Sequence, residues 1–317
     1  MQTITLGESG LKCSRLAYGC WRLTGVIHHP PIDEEHEKKS HKSIQAAYEA
    51  GYTLFDLSDI DSNGLVEEVF GRTVKSISGM RENIVVATKC GIREKGNPKK
   101  NDPYRYDLSK NYIISACDAS LKRIGIDCID LYQLHQPDYL MEQEEIAEAF
   151  DILKQSGKVR EFGVSNFNRE QLKHLQSVCS MKLHCNQIEI SLIHYSALDN
   201  GSLSYHQRHH ITPLAWSPLA QGKLGSKYPV SLRNPNHSQE QSIRDALTLL
   251  ARNKNCSPTA VALAWLLRHP AGIVPIIGST NPEHILDATK AVNIDLNREE
   301  WYQLITAAIK KPLDKSG

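Results

Sequence analysis

Short apolar runs alternate with amphipathic stretches along most of this chain. Eight runs read as strands: LAYGCW, TLFDLS, NIVVATKC, CIDLYQLH, EFGVSNF, HCNQIEIS, TPLAWSP and IVPIIGS. Each is about five to eight residues long between turn-forming or polar residues, as buried strands are. Helical patterns fall between them. EEIAEAFDILKQSG carries an apolar i, i+3, i+4, i+7 stripe and stops on glycine, as does HKSIQAAYEAG. SKNYIISACDASLKRIG opens on a serine cap and ends at Gly125, and SPTAVALAWLLRHP pairs a Ser257 cap with Pro258 at the first helical position. NREQLKHLQSVC, NPEHILDATKAV and QEQSIRDALTLLARNK complete the alternation.

Strand followed by helix, repeated around the chain, predicts a parallel (β/α)8 barrel, with QTITLGESGLKCSRL as a preceding hairpin. A doubly wound open sheet wants a glycine-rich first turn, G-x-G-x-x-G, and the turn here is GCWRLTG. With no linker or low-complexity tract, the expectation is one domain over residues 1–317. The longest irregular piece, QGKLGSKYPVSLRNPNHS, follows strand seven, where long βα loops serve as lids or binding loops.

Charge and cysteine content narrow the partners. Lys+Arg 37 against Asp+Glu 36 gives a net charge of +1, which offers no electrostatic case for nucleic acid or an anionic membrane surface. No apolar run approaches a membrane span, and MQTITLGESGLKCSRL does not read as a signal peptide. The eight cysteines are scattered without a C-x-x-C pair, so reduced thiols in a cytoplasmic protein are expected.

In such a barrel, chemistry gathers at the C-terminal strand ends. Those ends carry Asp56, Lys89, His135, Ser165, Asn166, Gln187, Trp216, Ser217 and the segment Gly278–Asn281, a polar ring on otherwise apolar strands. Singly, Lys89 could snorkel to solvent and His135 could be a satisfied core histidine. Together, an Asp–Lys pair would hold the amine charged while a neighbouring imidazole orients a carbonyl.

The motifs GYTLFDLSDI, VVATKCG, IDLYQLHQPD, GKVREFGVSNFN, CNQIEIS, AWSPLAQGKL and PIIGSTNPEHI, in that order, resemble those of the aldo-keto reductases from about residue 3 to the C-terminus. CWRL and HQPDYLM are similar to segments of that family's bacterial oxidoreductase branch. The resemblance implies reduction of a small aldehyde or ketone by NADPH, or by NADH, through direct hydride transfer without a metal. It implies catalytic roles for Asp56, Lys89 and His135, with Ser165, Asn166 and Gln187 bonding the nicotinamide carboxamide and Trp216 stacking on the ring. Ser217 and Leu219 match the pyrophosphate loop; Gly278, Ser279, Thr280, His284 and Asp287 match the adenosine end.

Two departures stand out. Asp61 occupies the position of the family's proton-donating tyrosine, and Ser62 that of the following glycine. A carboxyl is shorter than a phenol, and Lys89 nearby should lower its pKa, so proton delivery by water or another side chain is expected. Gly278 and His284 stand where many NADP-selective members carry Lys and Arg, and Ala288 replaces an amide; Lys223, Lys227 or Arg233 could compensate. The alternative function is a catalytically silent nucleotide-binding barrel acting as a sensor or partner protein. A third reading takes D-I-D-S-N-G, from Asp59, as half a calcium loop, although its twelfth position is Phe70. The blandest takes Asp59 and Asp61 as a solvated acidic turn capping the helix GLVEEVFGRTV. Trp21 could wall the substrate site.

Overall fold

In the computed structural model, which describes residues 1–25, 33–225 and 237–309, eight parallel strands close on themselves. They are β1 (Ala17–Gly19), β2 (Leu54–Asp56), β3 (Val85–Cys90), β4 (Ile129–Leu134), β5 (Val159–Ser165), β6 (Leu183–Glu189), β7 (Thr212–Trp216) and β8 (Val274–Ile277). Each strand pairs with its neighbours in chain order, and β8 returns to β1 through Ile276 opposite Ala17 and Ile277 opposite Tyr18. The fold is therefore the (β/α)8 barrel that the alternation predicts. β1 and β2 are shorter than their apolar runs, because beyond Gly19 and Asp56 the chain turns outward after one more ladder-like bond each, Cys20 N to Asp56 O and Leu57 N to Ala87 O.

Small and branched side chains fill the barrel. Ala17, Leu54, Ala87, Leu131, Leu214 and Val274 are fully buried in one cluster. The N-terminal hairpin, Thr3–Thr5 antiparallel to Lys12–Ser14, adds Leu6, Leu11 and Cys13 to the same cluster and so plugs the barrel's N-terminal end. Burying Leu6 and Leu11 contributes about 1.5–3 kcal/mol each. Only glycine suits position 7: its φ is +54°, and a Cβ would stand 2.8 Å from the carbonyl oxygens of His184 and His210.

Around the barrel run α1 (Glu34–Glu49), α2 (Leu65–Ser76), α3 (Lys110–Ile124), α4 (Gln143–Gln155), α5 (Arg169–Val178), α6 (Ser202–Arg208), α7 (His237–Asn253), α8 (Pro258–Leu267), α9 (Pro282–Thr289) and α10 (Arg298–Ala308). Ser257 caps α8 by accepting from Ala260 N, with Pro258 behind it, as the sequence suggests. The expected Ser109 side-chain cap does not form. Among the described residues no helix is long and apolar enough to cross a membrane. Residues 226–236 of the long loop after β7, with Lys227 and Arg233, lie outside the described residues.

Candidate active site

The strand register brings the chemistry together. Asp56 ends β2, Lys89 lies near the end of β3 opposite Gln133 of β4, and Gln187 of β6 lies opposite Ser165 of β5. Lys89 Nζ donates to both Asp56 oxygens at 2.8 Å and to the Leu57 carbonyl at 2.7 Å. The Asp56 carboxylate also accepts from Gln187 Nε2 at 2.9 Å and from Gln133 Nε2 at 3.4 Å. Lys89 is 4 % exposed and Asp56 8 %, so the lysine does not snorkel to solvent but closes a buried polar cluster. An ammonium has three protons, and all three are engaged here.

Asp61 departs from expectation. Burial pushes its carboxyl pKa up to about 6, outweighing the positive charge of Lys89. The residues that follow are conformationally unusual: Ser62 and Asn63 both have left-handed backbones, φ +46° and +55°, before Gly64 at +84°. Consecutive left-handed non-glycine residues cost on the order of 1–3 kcal/mol each and concentrate at functional loops. The Ser62 hydroxyl, 2.7 Å from Thr24 Oγ1, ties this turn to the loop after β1.

The solvated-cap reading of Asp59 and Asp61 fails. Helix α2 has Gly64 as its N-cap and no side-chain cap bond. Asp59 instead turns inward to accept from the Tyr112 hydroxyl at 3.3 Å, and burial, with Glu67 nearby, pushes its carboxyl up to about 8. A buried carboxyl that holds its proton is a poor calcium ligand. Among the described residues no three His, Cys, Asp or Glu side chains converge in a metal-binding group.

His135 follows β4. Burial, reinforced by the Lys89 charge, depresses its pKa to about 3, so the imidazole is neutral near pH 7, and its Nδ1 has no hydrogen-bond partner. The His135 carbonyl accepts from Asn166 Nδ2 at 3.2 Å, and the same Nδ2 donates to Ser165 Oγ at 3.0 Å. Trp216 Nε1 donates to Asn166 Oδ1 at 3.0 Å, while Ser165 Oγ and Asn166 N both reach the Gln187 carbonyl. Ser165, Asn166, Gln187 and Trp216 thus form one continuous network, with Asn166 at φ +62° as its hub. Both Asn166 amide protons are committed within the chain, which leaves a lone pair of Oδ1 for a ligand.

Outward from Trp216 opens a cavity of about 700 Å³, within the range of ligand sites. Ser217 and Leu219 line one side, on a turn where Ser217, Ala220 and Gln221 are left-handed, a shape that gathers backbone N–H groups. Gly278, Ser279, His284 and Asp287 line the other. Thr280 is exposed, and its carbonyl accepts from Ser43 Oγ at 2.8 Å. Asp287 accepts from Ser257 and pairs with Lys290 at 3.0 Å. Trp21, 47 % exposed, walls this cavity beside Gly278, with the Arg22 guanidinium 4.5 Å above its ring.

Sequence reasoning missed Gln133, Arg22 and Glu283. Gln133 was findable: strand alternation aims it inward with Leu131, and a polar inward position is a signal in itself. Arg22 and Glu283 gain meaning only from the cavity they share.

Comparison with known proteins agrees with this geometry. A model of the "Aldo/keto reductase family" matches residues 15–309. A 6-dehydroglucose reductase of Agrobacterium fabrum is 37% identical over 312 residues, covering 98% of this chain and 99% of its own. The oxidoreductase YdhF of Escherichia coli is 34% identical, with 98% of each chain covered. Among solved structures, a glycerol dehydrogenase from Gluconobacter oxydans superimposes with a TM-score of 0.84 at 26% identity, covering 99% of this chain and 98% of that one.

Proposed function

Because the chain belongs to the aldo/keto reductase family, we propose that it reduces an aldehyde or ketone with NADPH or NADH, using Asp61 in place of the family's tyrosine as proton donor. The observation that carries this reading is the closed shell of Lys89: with all three ammonium protons held by Asp56 and Leu57, the lysine is a fixed charge and the proton must come from elsewhere.

When bound, a reduced nicotinamide supplies the hydride. Asn166 Oδ1 and Gln187 suit its carboxamide, Trp216 its ring, and Ser217 and Leu219 its pyrophosphate, while Ser279, Thr280, His284 and Asp287 suit the adenosine end. The cavity beside Gly278 has a fitting volume. The chain's own residues do the rest. Neutral His135 donates from a ring nitrogen to the carbonyl oxygen and orients it. Lys89, in a water-poor setting, stabilises negative charge growing on that oxygen. Asp61, protonated in the mildly acidic range, passes its proton to the oxygen directly or through one water.

The name of the Agrobacterium relative points to a sugar-derived aldehyde as substrate class. Three tyrosines support it. Tyr104 and Tyr106 follow β3 and Tyr139 follows β4, with ring centroids 6.1 and 6.3 Å apart, and Tyr139 is 94 % exposed. Asp138 ties the two loops by accepting from Leu108 N and Leu140 N. An exposed aromatic platform on the catalytic face suits the apolar faces of a polyol.

The experiment is turnover of an activated aldehyde by the wild type and by Asp61→Ala. Loss of about 10²–10⁴-fold in rate is expected of a general acid. An unchanged rate in Asp61→Ala removes Asp61 from the role. Tight dinucleotide binding without turnover in the wild type favours the second reading, a nucleotide-binding barrel without catalysis, to which the closed shell of Lys89 also lends weight.

A further inference from the structure

The wall of the cavity that faces the adenosine end is built against a phosphate. At Gly278 a Cβ would stand 2.9 Å from Trp21 Nε1, so the indole occupies the space a longer side chain would need. That indole is itself covered by Arg22. No cation can be carried at 278 unless Trp21 moves. Next along the chain, the start of α9 offers few free donors. Pro282 has no N–H, Asn281 N already donates to Ser279 Oγ, and Glu283 N donates to Asn281 Oδ1 at 2.9 Å. The helix start that would attract an anion is therefore already capped by its own side chain.

Charge points the same way. Arg22 and Lys290 line the cavity against the carboxylates of Glu283 and Asp287, so among the described residues the wall has no surplus of positive charge. Lys290 is paired with Asp287, and Arg22 lies over Trp21. A ribose 2′-phosphate would bring nearly two negative charges into a balanced site, next to the exposed carboxylate of Glu283 in the first turn of α9. A ribose with free hydroxyls meets the opposite situation, because a carboxylate accepts from a vicinal diol.

We propose that the cofactor this chain selects is the dinucleotide without the 2′-phosphate, NADH, and that Glu283 is the residue that selects it by accepting from the adenosine ribose. The proposal rests on the dinucleotide-dependent reading above and narrows it. Trp21 acts as a positioning residue: by filling the space over Gly278 it keeps that position free of a cationic side chain.

Binding tests this without turnover. Dissociation constants of the wild type for NADH and NADPH come from nucleotide fluorescence, and those for ADP-ribose and its 2′-phosphate from calorimetry. The expected result is tighter binding of the unphosphorylated member of each pair by about 10-fold or more, the worth of one charge-assisted contact and its opposite. Glu283→Gln narrows that ratio and Glu283→Lys inverts it. NADPH bound as tightly as NADH by the wild type overturns the proposal and leaves the oxidoreductase reading standing. An unmoved ratio in both Glu283 variants overturns the assignment to Glu283. Failure of all four ligands to bind below about 1 mM sinks the dinucleotide reading, and the proposal with it.

Discussion

Lys89 holds Asp56 in a two-pronged ion pair, Nζ 2.8 Å from each carboxylate oxygen, in a setting where neither residue is more than one-tenth exposed. Removing one partner leaves the other charge buried without compensation, which costs about 3–5 kcal/mol. Lys89→Met and Asp56→Asn are each expected to lower the unfolding free energy by about that amount in urea titrations. The double variant should lose less than the sum of the two. Additive losses would mean that the pair is not coupled as the geometry requires.

Asp61 and Asp59 make stability depend on pH in one direction. Both carboxyls have folded pKa values above the ordinary aspartate range, about 6 and about 8. The folded chain therefore holds these protons more tightly than the unfolded chain. Their favourable contribution is complete below about pH 4 and is lost as pH rises through 6 for Asp61 and through 8 for Asp59. Asp59→Asn removes the larger part of that dependence, so its melting temperature should fall less than that of the wild type between pH 5 and 8.5. Parallel curves for the two proteins would contradict the burial of Asp59.

Turnover carries a second pH signature. If protonated Asp61 delivers the proton, kcat falls as pH rises through about 6. Asp61→Tyr replaces one proton donor by another, a phenol; turnover should be kept, and the falling limb should move to higher pH. Ser62→Gly added to it relieves one left-handed residue of the turn and should help. A wild-type profile flat from pH 5 to 8 argues for a donor other than Asp61.

Asn166 joins the loop after β5 to Trp216 and to the His135 carbonyl. Asn166→Ala frees all of these contacts at once. Affinity for the intact dinucleotide should drop about tenfold more than affinity for ADP-ribose, the worth of a hydrogen bond or two. Equal losses for both ligands would assign Asn166 to the scaffold.

Tyr139 tests the aromatic platform. Tyr139→Ala should raise KM for a pyranose-sized polyol aldehyde by a few-fold, matching the roughly 0.5–1.5 kcal/mol of an aromatic contact. KM for a small aldehyde should stay put. An equal change for both would place the ring outside the substrate path.

Most of the barrel was legible because each strand is short, apolar and bounded, and because most strand ends after the first carry a polar residue. Asp56, Lys89 and Gln187 meet as the alternation implies. The state of Asp61 was not legible: nearness to Lys89 suggested a lowered pKa, whereas the depth of burial, a property of the whole loop, decides the opposite sign. Asp59 was misread for a related reason, since DIDSNG looks hydrophilic and only the packing of Tyr112 from α3 reveals an inward side chain. Helix α10 was overlooked although Asn297 and Glu300 form a capping box ahead of it, because it lies outside the strand–helix repeat. The hairpin Ile92–Arg93 with Arg105–Tyr106 was hidden in a polar loop whose pairing has no apolar alternation.

The N-terminal hairpin seals the end of the barrel opposite to Lys89 and His135, and Gln2 Nε2 anchors it to the Val292 carbonyl across the C-terminal half. Anything joined ahead of Thr3 therefore emerges on the blind side of the molecule. An affinity handle or a fused reporter placed there would leave the mouth facing open solution. Tethering through that end to a sensor chip or an electrode would present every copy with its entrance outward.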